Sequence, residues 1–343
     1  MMRIAINGFG RIGRLFFRRA FNLPEFDIVA INDLGDLENL AYLLKYDTVY
    51  GRYERQISNN KSQIPNKLII DGKEILVFQE KDLAGLPWKD LEIDVVVEST
   101  GAFESFEQAK KHLDAGAKRV LLTAPSKDSE DTAGGKTIFI GVNEGELKKT
   151  ILTSNASCTT NAVYPVIAVL SEKMGIKKAI LNTVHAYTNT QTIVDAPVKG
   201  NDFRRGRAGA QNIIPSTTGA ATAVTRVIKE LENKFDGIAL RVPIVTGSIA
   251  DITFISQRKT SVEEINGILK EAEKLSQWQG ILKTTEQQIV SSDIIGEPHS
   301  AVVDLSFTRV VDGDLVKVLV WYDNEWGYVS ILIKHILEIA KSL

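Results

Sequence analysis

The sequence predicts an α/β protein with a doubly wound parallel sheet, followed by a second α+β domain on a mostly antiparallel or mixed sheet. Three observations predict it. A short apolar strand at the N-terminus opens directly into a G-x-G-x-x-G loop; near-continuous apolar runs then alternate with helical patterns; from Ala179 the strands lengthen and helices thin out. The expected division is 1–157 for the first domain and 158–327 for the second. A chain of 343 residues, 44% hydrophobic and 24% charged, has ample length for two such cores.

In the first domain, Arg3 to Asn7 (RIAIN) reads as a strand and RIGRLFFRRAFN as the helix after it. The loop between them, Gly8, Phe9, Gly10, Arg11, Ile12 and Gly13, has the spacing of a Rossmann dinucleotide site. Such a site needs a tight turn at Gly8, backbone close to a pyrophosphate at Gly10, and close helix–strand packing at Gly13. FDIVAIND supplies the second strand and ends in Asp33, placed to accept both hydroxyls of an adenosine ribose. The alternative for Asp33 is a turn or cap before the helix LENLAYLLKY. Leu34, Gly35 and Asp36 follow with no arginine, so a 2'-phosphate would meet negative charge and NAD is favoured over NADP.

Thr48 to Trp88 breaks the parallel pattern. KLIIDGKEILVF places an Asp71-Gly72 turn between two alternating runs, the signature of an antiparallel hairpin. Parallel strands resume with IDVVVEST, the helix FEQAKKHLDAG, then KRVLLTAP, TIFIGVN and TILTSN. Gly101, Thr123 and Cys158 all follow strand ends, where open parallel sheets bind ligands, and this sets the cysteine beside the cofactor.

Cys158 is the chain's one cysteine, which excludes an internal disulfide and a Cys-rich metal site; no metal is expected. It lies in SNASCTTN, where a strand gives way to the helix CTTNAVYPVIAVLSEKMG, with Ser157 or Asn155 as cap and Pro165 expected to kink the helix. A thiol at a helix N-terminus has its ionised form favoured, and Cys158 is expected to titrate below the ordinary value. The alternative is a small buried hydrophobe. His185, at the end of the strand AILNTVHAYT, is either a satisfied structural residue or the base for that thiol. A long polar segment with Arg204, Arg205 and Arg207 follows, either functional or a solvated patch. Thr217, Thr218 and Gly219 in IIPSTTGAA suit an oxyanion or phosphate. Arg241, inside the apolar run IALRVPIV, needs an anionic partner, either a ligand or an internal carboxylate. Asp312-Gly313 reads as another hairpin turn, SVEEINGILKEAEKL and YVSILIKHILEIAKSL as helices.

Lys plus Arg, 41, nearly balances Asp plus Glu, 43, for a net charge of -2, which argues against a nucleic-acid binder. MMRIAINGFGRIGR lacks the apolar core of a signal peptide, and no run of about 18 apolar residues suggests a membrane span. The cytoplasm is the expected location.

In order and spacing, NGFGRIGR, SNASCTTN, TVHAYTNTQ, RRGRA, NIIPSTTGAA, LRVP and YDNEWGY closely resemble the phosphorylating glyceraldehyde-3-phosphate dehydrogenases of the common bacterial and eukaryotic type. The resemblance covers essentially the whole chain. It implies that Cys158 is the nucleophile of a hemithioacetal and a thioester, and that His185 is the base. It implies a substrate-phosphate site at Thr188 and Arg241 with Gln191 close by. A second site, for inorganic phosphate, would use Ser157, Thr159, Thr218, Gly219 and Arg204. Asn324 would hold the nicotinamide carboxamide with Tyr328 near the ring, and Leu34 and Pro197 match NAD-using members. The implied substrates are glyceraldehyde 3-phosphate and inorganic phosphate, the implied assembly a homotetramer through the Arg-rich loop. The final helix, over about 328–343, would return to the first domain. Lys81 departs from the pattern, standing where many members carry an arginine close to the adenine, and VSILIKHI lacks the usual polar residues. Two rival readings are a different sugar-phosphate aldehyde, such as erythrose 4-phosphate, and a cofactor-binding sensor without turnover. Loss of Cys158 or His185 would have marked the sensor; both are present.

Overall fold

A computed structural model describes residues 1–61 and 65–342. The expected insertion over Thr48 to Trp88 runs through positions 62–64, and the expected final helix ends at Leu343; these positions lie outside the described residues. The chain divides into two compact units. The first comprises Met1–Ile138, Asn143–Ala156 and Leu332–Leu343; the second comprises Phe139–Val142 and Ser157–Ile331.

The first unit begins with β1 (Met2–Asn7), α1 (Arg11–Ala20), β2 (Phe26–Asn32) and α2 (Leu37–Lys45). A small ribbon, β3 (Tyr46–Asp47) and β4 (Gly51–Arg52), is followed by β5 (Ile57–Asn60), β6 (Asn66–Ile70) and β7 (Lys73–Phe78). Then come β8 (Val95–Glu98), α3 (Phe106–Ala109), α4 (Lys111–Asp114), β9 (Arg119–Leu122), β10 (Gly135–Thr137) and β11 (Leu152–Ser154). The sheet order is β10-β11-β9-β8-β1-β2-β7-β6-β5. Pairing is parallel from β10 to β7, while β5 and β6 extend the edge antiparallel. The hairpin turns at Asp71 and Gly72, both at positive φ, as an Asp-Gly type I' turn requires. Strand order reverses on either side of β1, so the crevice for a ligand opens at the carboxyl ends of β1 and β8.

Two expectations fail here. The run FEQAKKHLDAG is not one helix but two short turns, α3 and α4, separated at Lys110. TIFIGVN contributes only Thr137 to a strand. The chain leaves the sheet after β10 because Phe139 is drawn into the second unit, where its ring stacks on Tyr164 at 4.4 Å and 6°. An aromatic stack outweighs one more strand residue here.

The second unit holds α5 (Cys158–Met174), β12 (Ile176–Ala186), β13 (Ile214–Thr217), α6 (Ala220–Val227), β14 (Phe235–Val242) and β15 (Ser248–Ser256). It continues with α7 (Val262–Glu273), β16 (Leu282–Thr285), β17 (Ala301–Val311) and β18 (Leu315–Tyr322). The last helix, α8 (Trp326–Ala340), starts in this unit and ends in the first. The sheet is mixed, in order β13-β14-β12-β15-β18-β17-β16, with β12/β14 and β16/β17 parallel. The edge strands β13 and β16 were not foreseen. Each is four residues long, and β13 carries Pro215, which a sheet tolerates at its edge. Across the sheet lies α5, apolar nearly all round and buried along most of its length, running through Pro165 to Met174. In the first unit, the far end of α8 carries His335, fully buried, its ring nitrogens 3.1 Å from Thr153 Oγ1 and 3.1 Å from Asn155 Oδ1.

Candidate active site

The first unit builds a cradle from backbone. Gly8 has φ +93°, and a Cβ there would lie 2.5 Å from the Thr100 N; one on Gly13 would lie 2.1 Å from the Gly8 O. Only glycine fits either position. Gly10 is the N-cap of α1, with open space where its Cβ would be, so the helix N-terminus offers its free N–H groups outward. Asp33 follows β2 directly and accepts from the Phe9 N–H at 2.6 Å and the Gly35 N–H at 2.8 Å. It therefore clips the glycine loop, and a carboxylate still has lone pairs for a ribose.

Phe9 and Arg11 serve the protein with their side chains. The Phe9 ring is buried edge-on against Phe17 at 5.7 Å, and Arg11 pairs with Asp47. Ile12 is half-buried, Leu34 and Lys81 are exposed, and Gly101 takes a positive φ of 67°. Thr123 donates its hydroxyl to the Glu98 carbonyl at 3.0 Å.

In the second unit, Cys158 is the first residue of α5. The Ser157 hydroxyl caps the helix, accepting from the Thr160 N–H at 3.1 Å, and Ala156 enters that cap at φ +53°. A left-handed alanine is a strained turn of the kind found at functional sites, and sequence patterning gave no hint of it. The sulfur lies 3.4 Å from His185 Nε2, on the penultimate residue of β12. His185 and Arg241 are register partners on the parallel strands β12 and β14, which puts the Arg241 Nη1 2.6 Å from His185 Nδ1. Nδ1 is also 2.7 Å from the Ala186 carbonyl, to which Arg241 donates at 3.1 Å.

Among the described residues no carboxylate pairs with Arg241, so the internal ion pair considered from sequence is absent. Its charge acts instead on its neighbours. Burial and then Arg241 push His185 down to about 3, leaving a neutral imidazole. Cys158 corrects another expectation: burial pushes its thiol up, against Arg241 and the N–H groups of the helix start, which pull it down. Desolvation is the largest effect, exceeding the pull of the Arg241 charge and of the partial charges at the helix start.

Tyr322 was not singled out from sequence. Its hydroxyl lies 2.8 Å from Thr159 Oγ1 and 2.8 Å from Thr183 Oγ1, and its ring meets the His185 ring edge-on at 6.0 Å. Thr183 and His185 are two apart on β12 and so share a face. The one available signal was a tyrosine closing the last apolar strand.

Around this core, the Thr188 N–H donates to Gln191 Oε1 at 3.3 Å, and Gln191 Nε2 is buried without a partner among the described residues. Arg204 is 60% exposed and paired with Asp202, whereas Arg205 is 28% exposed and donates to Ser216 at 2.8 Å. Besides burial, the Arg205 charge also lowers the pKa of Arg241. Thr218 and Gly219 sit at the start of α6, with Gly219 as N-cap. Pro197 is exposed and Tyr328 buried. Asn324 Oδ1 accepts from Thr246, the Gly247 N–H and Ser248 at 3.2, 3.2 and 2.9 Å. That fixes the amide with its NH₂ group unpartnered among the described residues, the face a carboxamide oxygen would take.

A glycine-loop cradle on a parallel sheet defines a dinucleotide-dependent dehydrogenase, and in the second unit a thiol lies beside an imidazole, the pair that nucleophilic catalysis by cysteine requires. Residues 2–106 match the sequence model of the glyceraldehyde 3-phosphate dehydrogenase NAD binding domain, and residues 157–324 that of the C-terminal domain. The chain is 50% identical to the glyceraldehyde-3-phosphate dehydrogenase of Thermotoga maritima, covering 96% of each chain. It is 48% identical to that of Streptomyces coelicolor over 97% of this chain and 96% of the relative. For that of Borreliella burgdorferi the figure is 46%, over 100% and 99%. The chain belongs to the glyceraldehyde-3-phosphate dehydrogenase family, and NAD is its cofactor.

Proposed function

We propose that this enzyme oxidises glyceraldehyde 3-phosphate to 1,3-bisphosphoglycerate with NAD and inorganic phosphate, through a hemithioacetal and a thioester on Cys158. The observation that carries it is the thiol 3.4 Å from a neutral imidazole, with an uncompensated guanidinium on the far side of the ring. His185 Nε2 takes the Cys158 proton as sulfur bonds to the aldehyde carbon and passes it to the carbonyl oxygen, giving the hemithioacetal hydroxyl, while the helix N–H groups stabilise the negative charge that develops there. NAD, when bound, supplies the hydride acceptor that converts the hemithioacetal to a thioester. His185 removes the hydroxyl proton in that step. Phosphate oxygen then bonds to the acyl carbon, the carbon–sulfur bond breaks, and the sulfur leaves as thiolate to be reprotonated.

Arg241 holds the substrate's phosphate with Thr188, because a buried cation with no carboxylate needs an anion. The attacking phosphate is held at Thr218 and Gly219, with Arg205 favoured over Arg204 by its burial. Gly8, Gly10 and Asp33 hold the adenosine and pyrophosphate end of NAD, Asn324 the carboxamide.

The enzyme assembles as a homotetramer through the Arg-rich loop, supported by the exposed Ile193, Val194 and Phe203 on that segment. It works in the cytoplasm, a reducing setting that suits a free nucleophilic thiol. Light scattering should report about four chains, and a fully active monomer contradicts the assembly. The activity is tested by following NADH with aldehyde, with and without phosphate, and with erythrose 4-phosphate in its place. Phosphate-independent oxidation, or a preference for the four-carbon aldehyde, overturns the assignment.

A further inference from the structure

In the first unit, two chains of hydrogen bonds, each running in one fixed direction, meet on a buried carboxylate. Asn7, Asn32 and Glu98 are the last residues of β1, β2 and β8, and Asn7 is the register partner of both others. All three are buried. The first chain starts at the Glu80 backbone, whose N–H donates to Asn32 Oδ1 at 2.8 Å and whose carbonyl accepts from Asn32 Nδ2 at 2.9 Å. With its amide so fixed, Asn32 Nδ2 donates to Asn7 Oδ1 at 2.7 Å, and Asn7 Nδ2 donates to Glu98 Oε2. The second chain starts at Trp88, whose indole N–H can only donate and lies 2.9 Å from His112 Nδ1. The ring proton of His112 is therefore on Nε2, 3.0 Å from Glu98 Oε2. Glu98 Oε1 accepts from the Thr100 N–H at 2.8 Å and from the Thr100 hydroxyl, so four donors fill the four lone-pair sites of the carboxylate.

Thr100 carries this order to the glycine loop. Its N lies 2.5 Å from where a Gly8 Cβ would be, and the Ser99 hydroxyl reaches the Asn7 and Gly8 carbonyls at 3.1 and 2.7 Å. We infer that Glu98, aligned by His112 and Trp88, is a positioning residue for NAD, and that it sets the spacing of the loops after β1, β2, β7 and β8. Asn7 is 0% exposed and Glu98 3%, so neither touches the cofactor and both act through Gly8 and Thr100. This rests on the reading that the glycine loop holds NAD, and it adds that the loop is fixed from beneath by a network with one hydrogen-bond sense.

That sense can be broken and restored. Glu98→Gln sets an amide NH₂ against the donors of Asn7 and His112, and Asn7→Asp sets a second carboxylate against the first. Together they exchange the roles: the amide at position 98 donates to the carboxylate at position 7, which also takes the His112 Nε2–H from the place, 3.3 Å away, that Asn7 Nδ2 now holds. Calorimetric NAD titration of the full-length enzyme should show each single variant binding roughly tenfold or more weakly, the cost of a buried polar group left unpaired, and the pair within about threefold of the wild type. KM for NAD should follow, and KM for the aldehyde should not. Wild-type affinity in the singles, or a pair no better than the weaker single, overturns the proposal, since a packing role alone predicts losses that add. Gly8→Ala separates the two readings: NAD binding lost there but kept in Glu98→Gln overturns the positioning role alone, and binding kept there overturns the cradle and that role with it. In the wild type labelled with ¹⁵N-histidine, with His112 assigned by eliminating the other three histidines, long-range ¹⁵N–¹H spectra should show the Nε2–H tautomer. The Nδ1–H tautomer overturns the proposal even if no variant folds.

Discussion

His185 and His335 are both buried and both pushed down to about 3, yet one faces a thiol and a guanidinium and the other two neutral side-chain oxygens. For His335, burial is the cause, and each ring nitrogen meets a neutral side-chain oxygen, on Thr153 and Asn155. For His185, a guanidinium adds to burial, and the nitrogens meet a thiol on one side and a donor and acceptor in competition on the other. A depressed pKa therefore does not mark a catalytic base. What separates the two rings is a partner that can lose a proton, the Cys158 thiol 3.4 Å from His185 Nε2.

The largest effect that would break this contrast concerns the thiol. Cys158→Ser should lose turnover by on the order of 10⁴ or more, since a hydroxyl beside a neutral imidazole is a poor nucleophile for this step. NAD titration should be unchanged, because the residues proposed to hold NAD, Gly8, Gly10, Asp33 and Asn324, do not include the thiol; retained activity returns Cys158 to the status of a small buried hydrophobe.

Next, the two histidines should part company on substitution. His185→Asn should lower kcat by roughly 10² to 10⁴. His335→Asn should keep kcat but lose about 1–3 kcal/mol of stability in urea, as buried hydrogen bonds go unmade. Equal loss of activity in both would erase the distinction.

Acid should then treat them alike. Each folded ring refuses a proton that the unfolded chain accepts below about pH 6.5, so stability is full above that pH and falls toward pH 3. Each contributes a slope of about 1.4 kcal/mol per pH unit in that window. Urea midpoints measured at pH 7 and 5 should therefore fall less in His335→Asn than in the wild type. An identical fall places the titrating groups elsewhere.

The smallest effect belongs to the cradle. With Asp33 at the ribose and no cation after it, NAD should exceed NADP in kcat/KM by at least roughly tenfold, about 1.4 kcal/mol. Equal values would mean that the Asp33 carboxylate serves only to clip Phe9 and Gly35.

The fold class, the glycine loop, the Asp71-Gly72 hairpin and the lone cysteine at a strand-to-helix junction were all legible in the sequence, because local pattern encodes each of them. What could not be read depended on contacts far apart in the chain. TIFIGVN has the apolar run of a strand, but Phe139 answers to Tyr164. Cys158 looked like a depressed thiol because its helix start is local, whereas the burial that reverses the shift depends on tertiary packing. Arg204 and Arg205 are adjacent in sequence, and only their packing separates the exposed one from the half-buried one.

The parallel register that sets Arg241 beside His185 also bears on the birth of the enzyme. Cys158 and His185 are 27 residues apart, and His185 and Arg241 are 56 apart on strands that need a long crossover to meet. Contacts of such separation are slow to form. Until β12 and β14 align, a newly made chain has no guanidinium beside the His185 ring. A chain whose register slips by one residue turns Arg241 to the opposite face of the sheet, away from His185 and from any phosphate bound there.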